Sequence, residues 1–322
     1  MLTEEQLKIH NKSITGSKIA SIIGISPFKS KYQLWAEMTG LVETEDISSE
    51  RMRMGNYAED MIDNVVRGEF GWEVEQEKDS GKQHHDYDFM FGIIDRFKVV
   101  DDMRVAILEY KNIDGMQLKQ WEEDGCPPYY ETQCRFYSIL YDLPCILIAV
   151  FGGNTVRHWE FERDAKIEAY LLRESLKFWD DIQNKIAPEP DGSESTGNAI
   201  AKLYPANSLD LLDCGDDISA LIVQRERFRY AESKAKEFKQ EAGNKIKATI
   251  GDHEGIVCPD GTKATWKLTK STVKFDEKQF AEDNEELYKR YLVTKPGYRR
   301  LHIRLAPEQK KALEATTTKE GE

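Results

Sequence analysis

Three residues in this chain of 322 are of the types that together hydrolyse phosphate esters. Asp95 stands in FGIIDRF, and Glu109 and Lys111 stand in AILEYKN. Both stretches are apolar and rich in β-formers, so both read as strands. Glu109 and Lys111 are two apart and project from one face of a strand, while Tyr110 points to the other, into packing. A turn in VVDDMRV would fold the two stretches into a hairpin and bring Asp95 alongside. A hard divalent cation such as Mg²⁺ takes carboxylate oxygens and water. Such a cation polarises a phosphoryl oxygen and lowers the pKa of its bound water. The ammonium of Lys111 would position that water or stabilise charge in the transition state. A hairpin with surface charges shows the same D…ExK pattern, so these three residues alone leave both readings open.

Further residues bear on the choice. Glu59 lies in MRMGNYAEDMIDNVV, a helical stretch whose neighbours one turn away are mostly apolar, so it points inward or is a solvated helical acid. Gln133 lies in YYETQCRFY, four after Tyr129 and four before Tyr137 on one helical face. It would bond an attacking water or a phosphate, or stand at the surface. Thr15, Gly16 and Ser17 open a helix. Helix-start hydroxyls suit a phosphate, and simple N-capping explains them equally well. His84-His85 reads as loop, because adjacent side chains point apart on an extended chain and no third ligand is apparent. FGGN at 151–154 lacks the context of a nucleotide site. Trp35, Trp121, Trp159 and Trp179 fit core or interface packing.

The elements that must hold these residues follow from periodicity. SITGSKIASIIG and KYQLWAEMTG are short helices. Met52–Phe70 is a longer one, with Tyr57, Met61, Ile62, Val65, Val66 and Phe70 as its stripe. DFMFGIID, VAILEYKN and CILIAVFGG are short strands. PPYYETQCRFYSILYDL is helical after its prolines, and the stretch to Ile182 ends in another helix. The pattern predicts an α/β unit with a central mixed sheet flanked by helices. APEPDGSESTGNA, 187–199, reads as a turn-rich linker. It divides a unit of 1–186 from an α+β extension of 200–322. That extension has a helix over about 217–250, a hairpin at EGIVCPDG/TKATWKLTK, a helix at DEKQFAEDNEELYKRYL and a basic strand at YRRLHIRL.

The ordered string ITGSKIASIIGISPFKSKYQLWAEMTG, MRMGNYAED, FMFGIIDRF, LEYK, YYETQ and FGG resembles the YqaJ/lambda-exonuclease family of phage recombination nucleases. The resemblance covers about 10 to 185, and the KIKATIG, GTKATWK, FDEKQF and YRRLHI pieces resemble the C-terminal extension of many members. It implies a restriction-endonuclease-like PD-(D/E)xK core. The implied activity is a Mg²⁺-dependent 5′→3′ exonuclease on linear double-stranded DNA, with Mn²⁺ a possible substitute. The product is a 3′ single-stranded tail for a single-strand annealing protein of the RecT/beta type, and the assembly a homotrimeric ring. Carried over by position, Asp95, Glu109 and Glu59 resemble the metal-site acids, with the Tyr110 backbone carbonyl as a further ligand. Lys111 resembles the catalytic lysine and Gln133 the active-site glutamine. Thr15 and Ser17 resemble the 5′-phosphate hydroxyls. Ile93-Ile94-Asp95 departs from a Ser-Pro-Asp run, Gln117 stands for an arginine, and another arginine aligns near His10. Phosphate contacts then fall to Lys12, Lys18 or Arg96. Alternatives are a PD-(D/E)xK endonuclease and a non-catalytic DNA-binding or partner-docking module.

Composition bounds the rest. The net charge of −13 excludes a cationic DNA-coating protein and a polybasic membrane binder. Lys263–Lys311 nevertheless holds 13 Lys+Arg against 7 Asp+Glu. No apolar stretch is long enough to span a membrane. The five widely spaced cysteines suit reduced thiols. Together these predict a cytoplasmic protein, and the resemblance implies one that is phage- or prophage-encoded in a bacterial host.

Overall fold

The computed structural model describes residues 9–10, 12–44, 50–77, 81–206, 210–295, 297–311 and 313. They form two compact units that divide between Pro205 and Ala206.

The first unit opens with helices α1 (Gly16–Ile22), α2 (Lys31–Met38) and α3 (Glu50–Glu69). Strands β1 (Glu73–Gln76), β2 (Lys82–Gln83), β3 (Phe91–Gly92), β4 (Arg96–Val100) and β5 (Met103–Ile113) follow. After them come α4 (Leu118–Asp124), α5 (Pro128–Tyr141), β6 (Cys145–Phe151), β7 (Thr155–Phe161), α6 (Ala165–Gln183) and α7 (Glu194–Leu203). The main sheet runs β1-β4-β5-β6-β7, antiparallel throughout except for the parallel pair β5/β6 that α5 bridges. A parallel pair needs such a crossover. The inner strand β6 is buried along its whole length, as expected where helices cover both faces. One core layer sets Ile107, Leu147 and Phe151 against Ile19, Trp35, Phe136 and Phe178. The other sets Leu108, Tyr110 and Ile148 against Ala58, Ile62 and Val66 of α3.

The stripe of α3 is therefore turned from the one its sequence suggests. Ala58, Ile62 and Val66 face the sheet, while Tyr57 and Met61 are exposed. Glu59 and Asp63, at helical spacing beside them, sit half-buried at the margin. The VVDDMRV turn forms as read. Asp101 and Asp102 have φ of 50° and 62°, the conformation of a two-residue hairpin turn that Asp tolerates. The segment 187–199 departs from a plain linker. Ser193 caps α7 by accepting from Thr196 N–H, and the Thr196 hydroxyl donates to Ser30 Oγ at 2.8 Å. The second half of the stretch is thus packed helix, belonging to the first unit.

The second unit has a 35-residue helix α8 (Asp216–Ile250), a hairpin β8 (Gly255–Val257)/β9 (Lys263–Thr265), and helices α9 (Glu277–Asp283) and α10 (Glu285–Arg290). The single helix expected over DEKQFAEDNEELYKRYL is broken at Asn284, whose φ of −137° is not helical. YRRLHIRL pairs with no strand among the described residues, so the basic strand is an extended segment instead.

Candidate active site

Strand β5 outruns its neighbour β4. The β4 ladder ends at Arg96 opposite Leu108, whereas β6 accompanies β5 to Ile113. Past Leu108 the β4 side of β5 therefore has backbone groups without a ladder partner. Asp95 fills that gap: its Oδ2 accepts from Tyr110 N–H at 2.7 Å. Glu109 and Lys111 project from the face that α5 covers. Lys111 Nζ donates to Glu109 Oε1 at 2.5 Å, and Gln133 Nε2 donates to the same oxygen at 2.7 Å. Gln133 Nε2 also donates to Tyr137 Oη at 3.0 Å, one helical turn along. The Lys111 ammonium lies over the Tyr130 ring, 5.5 Å from its centre.

The electrostatics of this cluster are strained toward negative charge. Burial pushes the Glu109 carboxyl up to about 7; Lys111 opposes that, and Asp95 and Glu59 add to it. Asp95 is raised by burial, against Lys111 and the Tyr110 N–H. Glu59 is raised by burial and then by Asp95. Burial works against the Lys111 charge, but Glu109 and Asp95 outweigh it and hold the ammonium protonated. Two acids, Asp95 and Glu109, thus share the Lys111 ammonium in a low-dielectric site, and Glu59 adds negative charge to them. A donor set of hard, crowded carboxylates is what Mg²⁺ or Mn²⁺ takes, and a divalent cation would relieve their repulsion. Asp95 and Glu109 are donors of that type, while the carboxylates of Asp95, Glu109 and Glu59 do not all come within 4.8 Å of one another.

The opposite face of β5 carries a different group. Tyr110 Oη donates to Asp63 Oδ1 at 3.1 Å, and Arg96 Nε lies 3.3 Å from the same oxygen. Arg96 Nη1 also donates to the Asp95 carbonyl at 2.7 Å. Arg96 is buried and its guanidinium is committed to α3. Its side chain turns onto α3, where Asp60 and Asp63 hold it, which differs from its expected place on a phosphate.

Thr15, Gly16 and Ser17 sit at the start of α1. The segment is pinned beside the Asp95 loop: Ile14 N–H donates to Phe89 O at 2.7 Å, and Phe91 N–H donates to Ile14 O at 3.0 Å. Thr15 makes no side-chain cap. Its hydroxyl lies 3.2 Å from Ser17 Oγ and 3.3 Å from His10 Nε2. The capping explanation therefore fails for Thr15. Gly16 rests directly on Tyr137, where a Cβ would stand 2.8 Å from the ring. A chain of contacts thus joins the hydroxyl pair to Tyr137, Gln133 and Glu109. Lys18 is placed otherwise than expected, since its ammonium donates to His10 O at 2.5 Å and Ser13 O at 2.7 Å. Burial, then Lys29, lowers its pKa to about 7. Lys12 is exposed.

Sequence reasoning missed two partners, Tyr137 and Asp63. The signal was present in each case as a spacing of four residues, from Gln133 and from Glu59. It also missed a feature of His84-His85. The bend at 85–86 stacks the two rings 4.5 Å apart at 19° and brings Asp86 into ligand range, so a third ligand type is present.

Comparisons with known proteins agree with this picture. Residues 5–140 match the family model of the YqaJ-like viral recombinase domain. Over 300 residues the chain is 27% identical to the protein YqaJ of Bacillus subtilis (strain 168), covering 90% of this chain and 91% of that one. The crystal structure of LHK-Exo in complex with dAMP superposes with a TM-score of 0.50 at 19% identity, over 57% of this chain and 94% of that chain. LHK-Exo, an alkaline exonuclease from Laribacter hongkongensis, matches in a further structure with a TM-score of 0.49 at 19% identity, over 63% of this chain and all of that one. The fold, a central mixed sheet flanked by helices, is shared with LHK-Exo, and the matches are consistent with the YqaJ/lambda-exonuclease-like family. Among the described residues no helix is long and apolar enough to cross a membrane.

Proposed function

We propose that this chain, whose first unit carries a YqaJ-like viral recombinase domain, is a nuclease of phage recombination that degrades linear duplex DNA 5′→3′. The observation that carries the reading is the convergence of Glu109, Lys111 and Gln133 on one carboxylate oxygen, with Asp95 on the next backbone N–H. Asp95, Glu109 and Glu59 are the proposed ligands of Mg²⁺, with Mn²⁺ as a substitute and the Tyr110 carbonyl as a further oxygen. The bound ion supplies Lewis-acid polarisation of a phosphoryl oxygen and a water of lowered pKa.

The chain's own residues do the rest. Lys111 keeps its proton at Nζ and presents a fixed cation to charge that develops on the phosphoryl group. Gln133 holds Glu109 Oε1 in place, so the carboxylate does not have to reorient during reaction. Thr15 and Ser17 offer paired hydroxyls to a terminal phosphate. Lys18 and Arg96 act one step back: Lys18 clamps His10 and Ser13 through their carbonyls, and Arg96 ties α3 to β4. The product in this reading is a 3′ single-stranded tail, taken up by an annealing protein of the RecT/beta type, and the working assembly is a homotrimer around DNA.

The test is a linear duplex labelled at the 5′ or the 3′ end, incubated with and without Mg²⁺. Early release of 5′ label, only with the ion, is expected. Early 3′ release reverses the polarity, cutting of circular duplex points to an endonuclease, and no release under any condition refutes hydrolysis.

A further inference from the structure

A basic concavity in the second unit is used by none of this chemistry. It lies between α8 and the segment at 300–310, which turns helical from Pro307. Glu226 is buried in the middle of α8 and accepts from Arg225 Nη1 and Arg229 Nε, each at 2.7 Å. A buried carboxylate must be paired, and this pairing fixes two guanidiniums at one spot. Both are at least half exposed, so their remaining N–H groups reach solvent. Two cavities, of about 630 and 490 Å³, adjoin there and share Glu226, Arg229 and Ile303. Arg300, Arg304 and Lys310 stand on the facing side, all exposed. Among the described residues none of these three side chains has an ion-pair partner.

Five cations thus surround one carboxylate in a chain whose total is −13. The larger cavity also presents half-buried Tyr230, Ile303 and Leu305. Cations suit a polyanion. An aromatic ring with aliphatic neighbours in the same hollow suits a flat apolar group carried on that polyanion. Unpaired nucleic acid offers both at once, whereas a duplex keeps its base faces stacked inside. The volumes are those of pockets that enclose small organic groups, enough for a nucleotide.

We infer that this cleft binds single-stranded DNA, with its phosphodiesters against Arg300, Arg304 and Lys310 and a base on Tyr230. The proposal rests on the nuclease reading only for the source of the strand, the tail that degradation leaves behind.

The experiment uses full-length Asp95→Ala protein in EDTA, so that nothing is cut. Fluorescence anisotropy follows a labelled oligothymidylate across a salt series. Adding Arg300→Ala, Arg304→Ala and Lys310→Ala should weaken binding about tenfold or more and flatten the log–log salt slope by about 2, near 0.7 per contact. Tyr230→Leu should weaken binding about fivefold to tenfold with the slope unchanged, because stacking releases no counterions. Circular dichroism checks that each variant is folded. Unchanged affinity and slope in the triple variant overturn the site. A duplex that displaces the strand at equal concentration overturns the choice of single strand. Hydrolysis is scored separately, with Asp95 intact, so loss of the nuclease reading would leave the binding result standing.

Discussion

The two faces of β5 carry the same kinds of group and come to opposite ends. On the α5 side, Glu109 and Lys111 meet Asp95 and Gln133, and Glu59 of α3 acts on the acids through its charge. On the α3 side, Tyr110 meets Asp63 and Arg96. In the second group Asp63 is matched by the Arg96 and Arg67 guanidiniums and the Tyr110 phenol, and Arg96 also faces Asp60. In the first, Asp95 and Glu109 contend for one ammonium while Glu59 adds to their repulsion, and all three are pushed up in pKa. A matched set is a fastening. An unmatched set buried on purpose is a receptor for positive charge, and perturbed acids of this kind mark functional sites. The contrast separates Arg96 from Lys111, although each is a buried cation beside an acid.

The largest break in this comparison should come from removing each cation in turn. Lys111→Ala should cut kcat about 10³-fold, the scale of losing a positioned electrostatic group, with the cooperative unfolding transition retained. Arg96→Ala should do the reverse, lowering stability more than it lowers kcat at a temperature where the protein is folded. Steady-state kinetics on linear duplex, beside thermal melts, gives both numbers. A Lys111→Ala enzyme of near-normal rate would remove the basis for calling the α5 face catalytic.

The charge imbalance should also show in pH. Glu109 is raised from 4.5 to about 7 in the folded protein, and unfolding returns it to its ordinary value. Between these values the folded form holds a proton that the unfolded form has released. Stability of the metal-free protein therefore falls as pH rises through that window. The loss reaches about 3 kcal/mol at most once pH exceeds the folded pKa. Glu109→Gln should abolish the slope, and added Mg²⁺ should raise the melting temperature more above the window than below it. Urea titrations on either side of the window measure this. A metal-free protein that gains stability across the window would contradict the crowding of acids.

The fastening can be tested directly. Asp63→Ala leaves the buried Arg96 guanidinium without its main partner, with Asp60 at 3.8 Å as the remaining carboxylate. The pair is partly open to water, so the cost is discounted from that of a fully buried bridge to about 2 kcal/mol. Because Asp63 lies one turn from Glu59 on α3, Mg²⁺ affinity by calorimetry should weaken as well. Asp63→Asn keeps a hydrogen-bond acceptor and should recover part of both losses. Full stability in Asp63→Ala would mean that α3 is held by Ala58, Ile62 and Val66 alone.

Much of this site was legible in the chain. The alternation of Glu109, Tyr110 and Lys111 assigns each a face, and Asp101-Asp102 suits the turn that delivers Asp95. What was not legible depended on tertiary partners. Arg96 follows Asp95 directly, but only its packing against α3 shows that it turns away from the acids. GSESTGN has the composition of a loop, yet Ser193 caps a helix and Thr196 finds Ser30, so packing overrides local preference. YRRLHIRL is β-rich, but a strand needs a free ladder edge, and here its cations line a cleft instead.

The smallest expected effect lies in the link between the hydroxyl pair and the acids. Tyr137 does two things. Its hydroxyl accepts one of the Gln133 amide hydrogens, and its ring supports Gly16 and Gly92 at distances that admit no Cβ without movement. Tyr137→Phe removes only the first. One amide hydrogen loses its acceptor, at a cost of about 1 kcal/mol, and Glu109 becomes less firmly held. A severalfold fall in kcat with KM unchanged should follow. Tyr137→Leu removes the ring as well, so the Thr15–Ser17 segment loses its support. That variant should lose preference for a 5′-phosphorylated over a 5′-hydroxyl end, measured by competition between the two duplexes, whereas Tyr137→Phe should keep it. Equal preference in the two variants would mean that the hydroxyl pair is positioned through Ile14 and β3 rather than through Tyr137.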